Sequence, residues 1–283
     1  MKLFFMFLIF LSCFTTIFAE TRTNSTEINL LVYNTHGLHA FFSRDYPSKR
    51  FPQIGKLTEG YELLLFQEDF SYHQTLLESL AEKSIIFRSD DTRSLPCFFC
   101  QGSGLTIISN FEADWHLKNK EEAFKTCSGW LRGLNDCFAS KGFQLLLLES
   151  SNGKRFFVLN THLDAGRGTL DREARADQLQ QILTTIQKET GGEALIIAGD
   201  LNLDWEDQED RSLLKEFMND LGLINPGKRI QAERGWPILD YILYRNGNST
   251  TLEVLEIGED IAFQNDEVPL SDHPALFMKF LLY

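Results

Sequence analysis

Positive charge is what this chain has least of. Its 27 lysines and arginines face 40 aspartates and glutamates, a formal net charge of −13. A protein that holds nucleic acid by charge alone carries a basic stripe, so that class is disfavoured. Chemistry on a phosphate is not excluded, because a bound divalent cation supplies positive charge locally. Proline is also scarce, at seven in 283 residues, and no Pro/Gly/Ser-rich linker, repeat or low-complexity tract breaks the sequence. One domain over residues 20–283 is therefore expected, long enough to bury a large core. Long apolar runs are missing beyond the first twenty residues, which excludes a later membrane-spanning helix.

The apolar start has a different reading. Lys2 precedes Leu3 to Leu11, then Ile17, Phe18 and the small Ala19 come before the first acidic residue, Glu20. A basic start, a short apolar stretch and a small residue at its end describe a secretory signal peptide over residues 1–19, so the chain is expected to be secreted. Of five cysteines, Cys13 lies in that leader, leaving Cys97, Cys100, Cys127 and Cys137. Export permits disulfides, and four cysteines allow three connectivities. The expected pairing is local, Cys97 with Cys100 and Cys127 with Cys137. A four-thiolate zinc site is disfavoured by the wide spacing of Cys127 and Cys137.

The rest alternates apolar runs with helical periodicity. Strands are expected at Ile28 to Tyr33, Glu62 to Phe66, Ser84 to Arg88, Gly104 to Ile108, Phe143 to Leu148 and Arg155 to Asn160. Four more follow, from Leu195 to Ala198, Ile238 to Tyr244, Leu252 to Ile257 and Ala275 to Leu282. Asn152-Gly153 is a strong hairpin turn signal. Apolar residues at Leu179, Ile182, Leu183 and Ile186 make an amphipathic helix of Asp171 to Gln187, and Leu213, Leu214, Phe217 and Leu221 mark another that stops at Gly222. Strands outnumber helices and many neighbours look hairpin-linked. An α/β fold of mixed sheets covered by helices fits better than a doubly wound parallel sheet.

Polar residues gather where the strands end. Ala198-Gly199-Asp200-Leu201-Asn202 closes a buried run with a carboxylate and a carboxamide two residues apart. In an extended segment those side chains point the same way, towards one small site suited to a water or phosphate oxygen beside a hard cation. Asn34 and Glu68 end the first two strands. His162 ends a later one, Asp240 opens another, and Ser271-Asp272-His273 precedes the last. Strand ends are where an α/β protein places its chemistry. Singly each is an ordinary loop residue; together they are the parts of a metal-assisted phosphodiesterase.

In their order, Tyr33-Asn34, Gln67-Glu68, Asn160-Thr161-His162, Gly199-Asp200-Leu201-Asn202, Leu239-Asp240-Tyr241 and Ser271-Asp272-His273 resemble the endonuclease/exonuclease/phosphatase superfamily. The likeness runs from about Ile28 to Phe280. Within it, Asp136 to Phe143, His162 to Gly166 and Asp171 to Gln178 are most similar to the secreted neutral sphingomyelinases. The resemblance implies a four-layer sandwich, two mixed sheets face to face with helices outside, as in deoxyribonuclease. It implies Mg2+ (or Mn2+ or Co2+) on Glu68, with Asn34 and Asp272 on the metal side. His273 would be the general base, held by Asp240. Asp200 and Asn202 would position water and a phosphate oxygen, and His162 would stabilise charge developing on the phosphate.

Two substrate classes follow from the resemblance. One is sphingomyelin, cleaved to ceramide and phosphocholine by a monomer that touches a membrane surface peripherally, with Phe41 and Phe42 as contact residues. The segment from Arg245 to Leu270, an apolar hairpin in bacterial toxin members, is largely polar here. The alternative is nucleic acid, cut by a secreted deoxyribonuclease-like endonuclease whose phosphate contacts would come from Arg44, Lys49, Arg50, Arg132 and Arg167.

Overall fold

Alternating burial decides how the first strand is used. In the computed structural model, β1 (Thr26–Asn34) sends Ile28, Leu30 and Val32 to one side and Leu31 and Tyr33 to the other, and all five are buried. A strand apolar on both faces must be covered on both. The structure describes residues 25–39, 46–80, 84–89, 102–111, 113–129, 137, 139–227 and 239–283. The expected leader, Phe41, Phe42, Arg44, Arg132 and the Cys97/Cys100 pair lie outside them.

After β1 come α1 (Pro47–Lys56), β2 (Leu63–Gln67), α2 (His73–Leu77), β3 (Ile85–Arg88) and β4 (Thr106–Ser109). Next are β5 (Trp115–Ala123), β6 (Gly142–Ser150), β7 (Arg155–His162), α3 (Thr169–Glu189), β8 (Ala194–Asp200), α4 (Gln208–Leu221) and β9 (Asp240–Arg245). The chain closes with β10 (Leu252–Glu259), the short hairpin β11 (Gln264–Asn265) and β12 (Val268–Pro269), and β13 (Leu276–Leu282). Six strands form one sheet in the order β10-β13-β1-β2-β4-β3, and five form another in the order β5-β6-β7-β8-β9. Both are mixed, since β1 and β2 are parallel, as are β7 and β8, while the other named pairs are antiparallel.

Three apolar layers result. Between the sheets, Leu30, Val32 and Leu65 pack with Leu146, Val158, Ile196 and Ile242. Outside the six-stranded sheet, Phe51 and Ile54 of α1 and Leu76 of α2 cover Leu31, Tyr33, Leu64 and Phe66. Outside the five-stranded sheet, Leu179, Ile182 and Ile186 of α3 and Leu214, Phe217 and Leu221 of α4 cover Phe143, Leu159, Leu195 and Ile197. Two mixed sheets with helices outside are the expected architecture. Helix ends follow local chemistry. Asp207 caps α4 by accepting from Glu209 N at 2.9 Å and Asp210 N at 3.0 Å, and Gly222 ends it at φ 65°.

Three strands, β5, β11 and β12, have no clear period in the sequence. β5, Trp-His-Leu-Lys-Asn-Lys-Glu-Glu-Ala, is an edge strand with only its Trp115 and Leu117 side packed on the core, so its charges hide the alternation. Ile54 and Leu57 at helical spacing mark α1, but Pro47 at its start and Pro52 within conceal its ten-residue length. β11 and β12 are two residues each, too short for any period. The Cys127–Cys137 disulfide is present, as expected.

Candidate active site

Register alone assembles half of the site. In the five-stranded sheet His162, the last residue of β7, is paired with Asp200, the last of β8, which in turn is paired with Asp240, the first of β9. Three polar residues therefore stand side by side at one end of three adjacent strands. His162 Nε2 is 3.4 Å from Asp200 Oδ2. β8 needs the glycine just before its last residue: a Cβ on Gly199, at φ 134°, would lie 2.0 Å from Thr161 O. Any side chain there would push β8 off β7 and separate His162 from Asp200.

The other half comes from loops of the six-stranded sheet. Asn34 ends β1 and Glu68 follows β2, at the carboxyl ends of that sheet's own parallel pair. Asn34 Nδ2 donates to Asp200 Oδ2 at 3.0 Å and to Glu68 Oε1 at 3.3 Å, joining the two sheets. His273, in the loop before β13, places Nδ1 at 2.7 Å from Asp240 Oδ2 and Nε2 at 3.8 Å from Asp200 Oδ2. Asp272 is three-fifths exposed and reaches His36 Nδ1 at 3.4 Å. Six of the eight residues singled out in the sequence, Asn34, Glu68, His162, Asp200, Asp240 and His273, thus form one linked cluster, and Asp272 joins it through His36.

Asn202 corrects the expected geometry. The chain is not extended through it, because β8 ends at Asp200 and Asn202 has φ 50°. Its Nδ2 donates to Leu163 O at 3.0 Å, and its backbone N donates to Asp200 Oδ1 at 3.0 Å. The side-chain amide therefore fastens the turn to Leu163, just after β7, while the backbone N–H of Asn202 holds the Asp200 carboxylate.

Residues absent from the sequence-level set complete the surroundings. Lys141 is buried, with Nζ 3.1 Å from His162 Nε2 and donating to Leu163 O at 2.8 Å. An ammonium has no lone pair to offer, so Nε2 accepts and the ring proton sits on Nδ1. His36 lies between Glu68 and Asp272, and Arg50 donates to Thr35 O and His36 O, at 3.0 and 2.9 Å, and also to Leu270 O. Arg50 thereby ties the loop after Asn34 to the loop before His273. The Asp69 carboxylate, next to Glu68, bonds His73, Arg88 and Thr106. Gln67 and Asn160, seen only as motif neighbours, meet across the sheets at 2.7 Å and hold them together beneath the site. The Thr-His-Gly after Asn34 and the lone lysine of Ala139-Ser140-Lys141-Gly142 were the available signals, but nothing local tells which polar loop residue turns inward.

The charges oppose one another. Burial would raise the Glu68 carboxyl, but the His36 contact and the Lys141 charge outweigh it and hold the group down at about 2. Burial and then Lys141 push His162 well below the ordinary imidazole range, so it is neutral near pH 7. Burial and then Asp240 raise Asp200 to about 7. Burial would lower His273, but Asp240, Asp200 and Asp272 overcome it and lift the imidazole to about 10. Such opposed titrations within one cluster mark acid and base chemistry.

The profile of the endonuclease/exonuclease/phosphatase family matches residues 31–273, from β1 through His273. The chain belongs to this family. Among curated members of similar sequence are a sphingomyelinase of Mycobacterium tuberculosis and one of Mycobacterium bovis. Each is 27% identical over 280 residues, covering 92% of this chain and 54% of the relative. The chain thus spans about half the length of these curated relatives. Among solved structures, a beta toxin from Staphylococcus aureus with bound magnesium ions is 19% identical, with a TM-score of 0.64 over 90% of this chain and 99% of that one. Sphingomyelinase C from Streptomyces griseocarneus (17% identical) gives a TM-score of 0.65 over 90% and 99%. Zebrafish (D. rerio) TDP2 with a single-strand DNA product (15% identical) gives 0.66 over 90% and 99%. At these identities the structural likeness bears on the fold, and the family fold is the four-layer arrangement described above.

The beta toxin compared above holds magnesium ions, and the residues here fit a hard cation. Glu68 Oε2 is buried without a hydrogen bond, its ion-pair neighbour His36 Nδ1 standing 3.6 Å away, an oxygen that a cation could satisfy. Among the described residues, Asp200, Asp240 and His273 also offer ligand atoms within 4.8 Å of one another.

Proposed function

We propose that the chain is an exported, metal-dependent phosphodiesterase that hydrolyses sphingomyelin to ceramide and phosphocholine. The observation that carries the chemistry is the His273–Asp240 pair at 2.7 Å, with the other imidazole nitrogen turned towards Asp200. The sphingomyelinases of similar sequence support the choice of lipid.

In this reading His273 Nε2 takes the proton of the attacking water, and Asp240 fixes the ring and its tautomer. His273 holds its proton tightly among three carboxylates, so it becomes a base once positive charge offsets Asp200 and Asp272. Asp200 and Asn34, bonded to each other, orient the water and a phosphate oxygen. Lys141, with neutral His162 as its acceptor, supplies a preorganised positive charge for the oxygens of the transition state. Glu68, with Asn34 and Asp272, would hold Mg2+, whose chemistry is Lewis-acid stabilisation of the phosphate and leaving oxygen.

One observation favours a second substrate class. Arg167 is exposed, and its guanidinium is fixed on Gly166 O at 3.2 Å and Asn202 O at 3.0 Å. A fixed cation beside the site suits a phosphodiester backbone, as in a deoxyribonuclease-like endonuclease. Purified protein with Mg2+, offered sphingomyelin vesicles and duplex DNA in parallel, separates the two. Phosphocholine release that requires Mg2+ and fails in His273→Ala is the expected result. DNA cleavage without phosphocholine release overturns the lipid reading, and equal activity in His273→Ala overturns the mechanism.

A further inference from the structure

Two exposed apolar side chains stand in matching places. α1 covers the outside of the six-stranded sheet and α3 the outside of the five-stranded one, and both helices begin at the strand ends that carry the site. Tyr46, just before α1, is 70% exposed, and Lys49 Nζ lies 5.0 Å from the centre of its ring. Leu170, the second residue of α3, is 51% exposed, and Arg167 precedes it by three positions, exposed as well. Each first turn thus presents one large apolar group and one cation.

Both turns are fastened to the loops that carry the site. Arg50, one turn into α1, donates to Thr35 O, His36 O and Leu270 O, next to Asn34 and Ser271. Arg167 Nη1 donates to Asn202 O at 3.0 Å, two residues from Asp200. Arg175, fully buried and unused by the mechanism, donates to Asp164 O at 3.1 Å and to Gly166 O at 2.9 Å. Asp171 Oδ2 accepts from Gly168 N at 2.8 Å, and a Cβ on Gly166, at φ 92°, would collide with that carboxylate. Backbone fastened in this way keeps Tyr46 and Leu170 in water, where each forgoes the gain of burial, and can meet a surface with little further loss of freedom.

We propose that the first turns of α1 and α3, through Tyr46 and Leu170 with Lys49 and Arg167 beside them, dock the protein on a lipid surface of phosphocholine headgroups and turn the site towards it. The inference rests on the reading of a lipid as substrate. That reading fixes where the surface lies, because a sphingomyelin phosphate reaches the strand ends only if they face the bilayer. An apolar side chain beside a cation matches a headgroup layer: the apolar part enters it and the cation meets lipid phosphate. With one such turn on each outer face, the two straddle the site. The formal net charge of −13 opposes a nucleic-acid partner, and a phosphodiester backbone has no use for an exposed leucine. Local cations and apolar contact, not net charge, carry the attraction, so anionic lipid is not required.

The test is sedimentation of the full chain with vesicles of sphingomyelin and phosphatidylcholine, with a chelator present so that no lipid is consumed. Wild type, Tyr46→Ser, Leu170→Ser, their double variant and Leu255→Ser are compared. Leu255, 46% exposed on the edge strand β10, is the control for exposed apolar surface away from the strand ends. Turnover with Mg2+ is read on the same vesicles and on bis(p-nitrophenyl) phosphate, a soluble phosphodiester. Each single variant should weaken vesicle binding about fivefold and the double variant about twentyfold, since two contacts on one surface act together. Sphingomyelin turnover at low vesicle concentration should fall in step, with the melting temperature and soluble-substrate turnover as in the wild type. Absent binding by the wild type, unchanged binding by the double variant, equal weakening by Leu255→Ser, or a matching fall on the soluble substrate overturns the inference. So does loss of duplex DNA binding in the double variant with vesicle binding intact. A wild type that releases no phosphocholine overturns the lipid-substrate reading alone, and weakened vesicle binding by the double variant then still upholds the docking turns.

Discussion

The two halves of the site are built by different means. His162, Asp200 and Asp240 are the terminal residues of β7, β8 and β9, and the hydrogen-bond ladder sets their spacing. Asn34 ends its strand in the same way, but Glu68, His36, Asp272 and His273 lie in loops, and Glu68 and His36 have φ of 51° and 49°. The ladder half is buried to the last residue, whereas Asp272 is three-fifths exposed. A ladder is rigid because moving one residue costs its neighbours their bonds. Loops need added fastenings, which here are Arg50, the Asp69 cluster and the Ser271 hydroxyl, which donates to Asn34 O at 2.7 Å. In the proposed reading, a hydrolytic centre that admits a cation and a substrate gains from one fixed wall and one adjustable wall.

The His273–Asp240 bond crosses between the halves, so removing it should have the largest effect. His273→Ala is expected to lower kcat for sphingomyelin by about 10²–10⁴, the usual worth of a general base, with the melting temperature almost unchanged. Asp240→Asn should cost about 10–100-fold, as loss of an imidazole's partner does. It should also shift the pH–rate profile. Asp240 raises His273, so its neutralisation lowers that value, and the acid limb, which tracks deprotonation of the base, moves to lower pH.

Gly199→Ala tests the ladder half alone. Its cost should appear in stability, about 3 kcal/mol from strain at that φ with the clash against Thr161 O added, measured by denaturant unfolding. If this variant is as stable as the wild type, the ladder is not the rigid wall described here. Arg50→Gln tests the loop half, loosening three carbonyls at about 1–3 kcal/mol of unfolding free energy. Activity should fall about tenfold or more, because Asn34 and His273 lose their common fastening. Glu189→Gln, at the half-buried ion pair with Lys120 on β5, should leave both melting temperature and activity essentially unchanged.

Much of this was legible in sequence because strand ends announce themselves. Apolar runs that stop at Asn34, Glu68, His162 and Asp200 locate the site residues without any contact being known, and the Gly-Asp-Leu-Asn turn stands out because only glycine fits where it does. β5 stayed hidden because an edge strand buries one face, so its lysines and glutamates mask the period. Asn202 was misjudged because two-residue alternation holds only while the chain is extended, and the chain turns left-handed there.

The sequence by itself determined the layered α/β architecture and singled out polar residues that the fold gathers at one place, since both depend on local pattern and on side-chain chemistry. Only the tertiary structure decided which polar residues face one another. Lys141 meets His162 across 21 positions, Asn34 meets Asp200 across 166, and His36 comes to stand between Glu68 and Asp272. Those encounters depend on strand register and loop closure, and both are fixed by packing between segments that carry no local trace of each other.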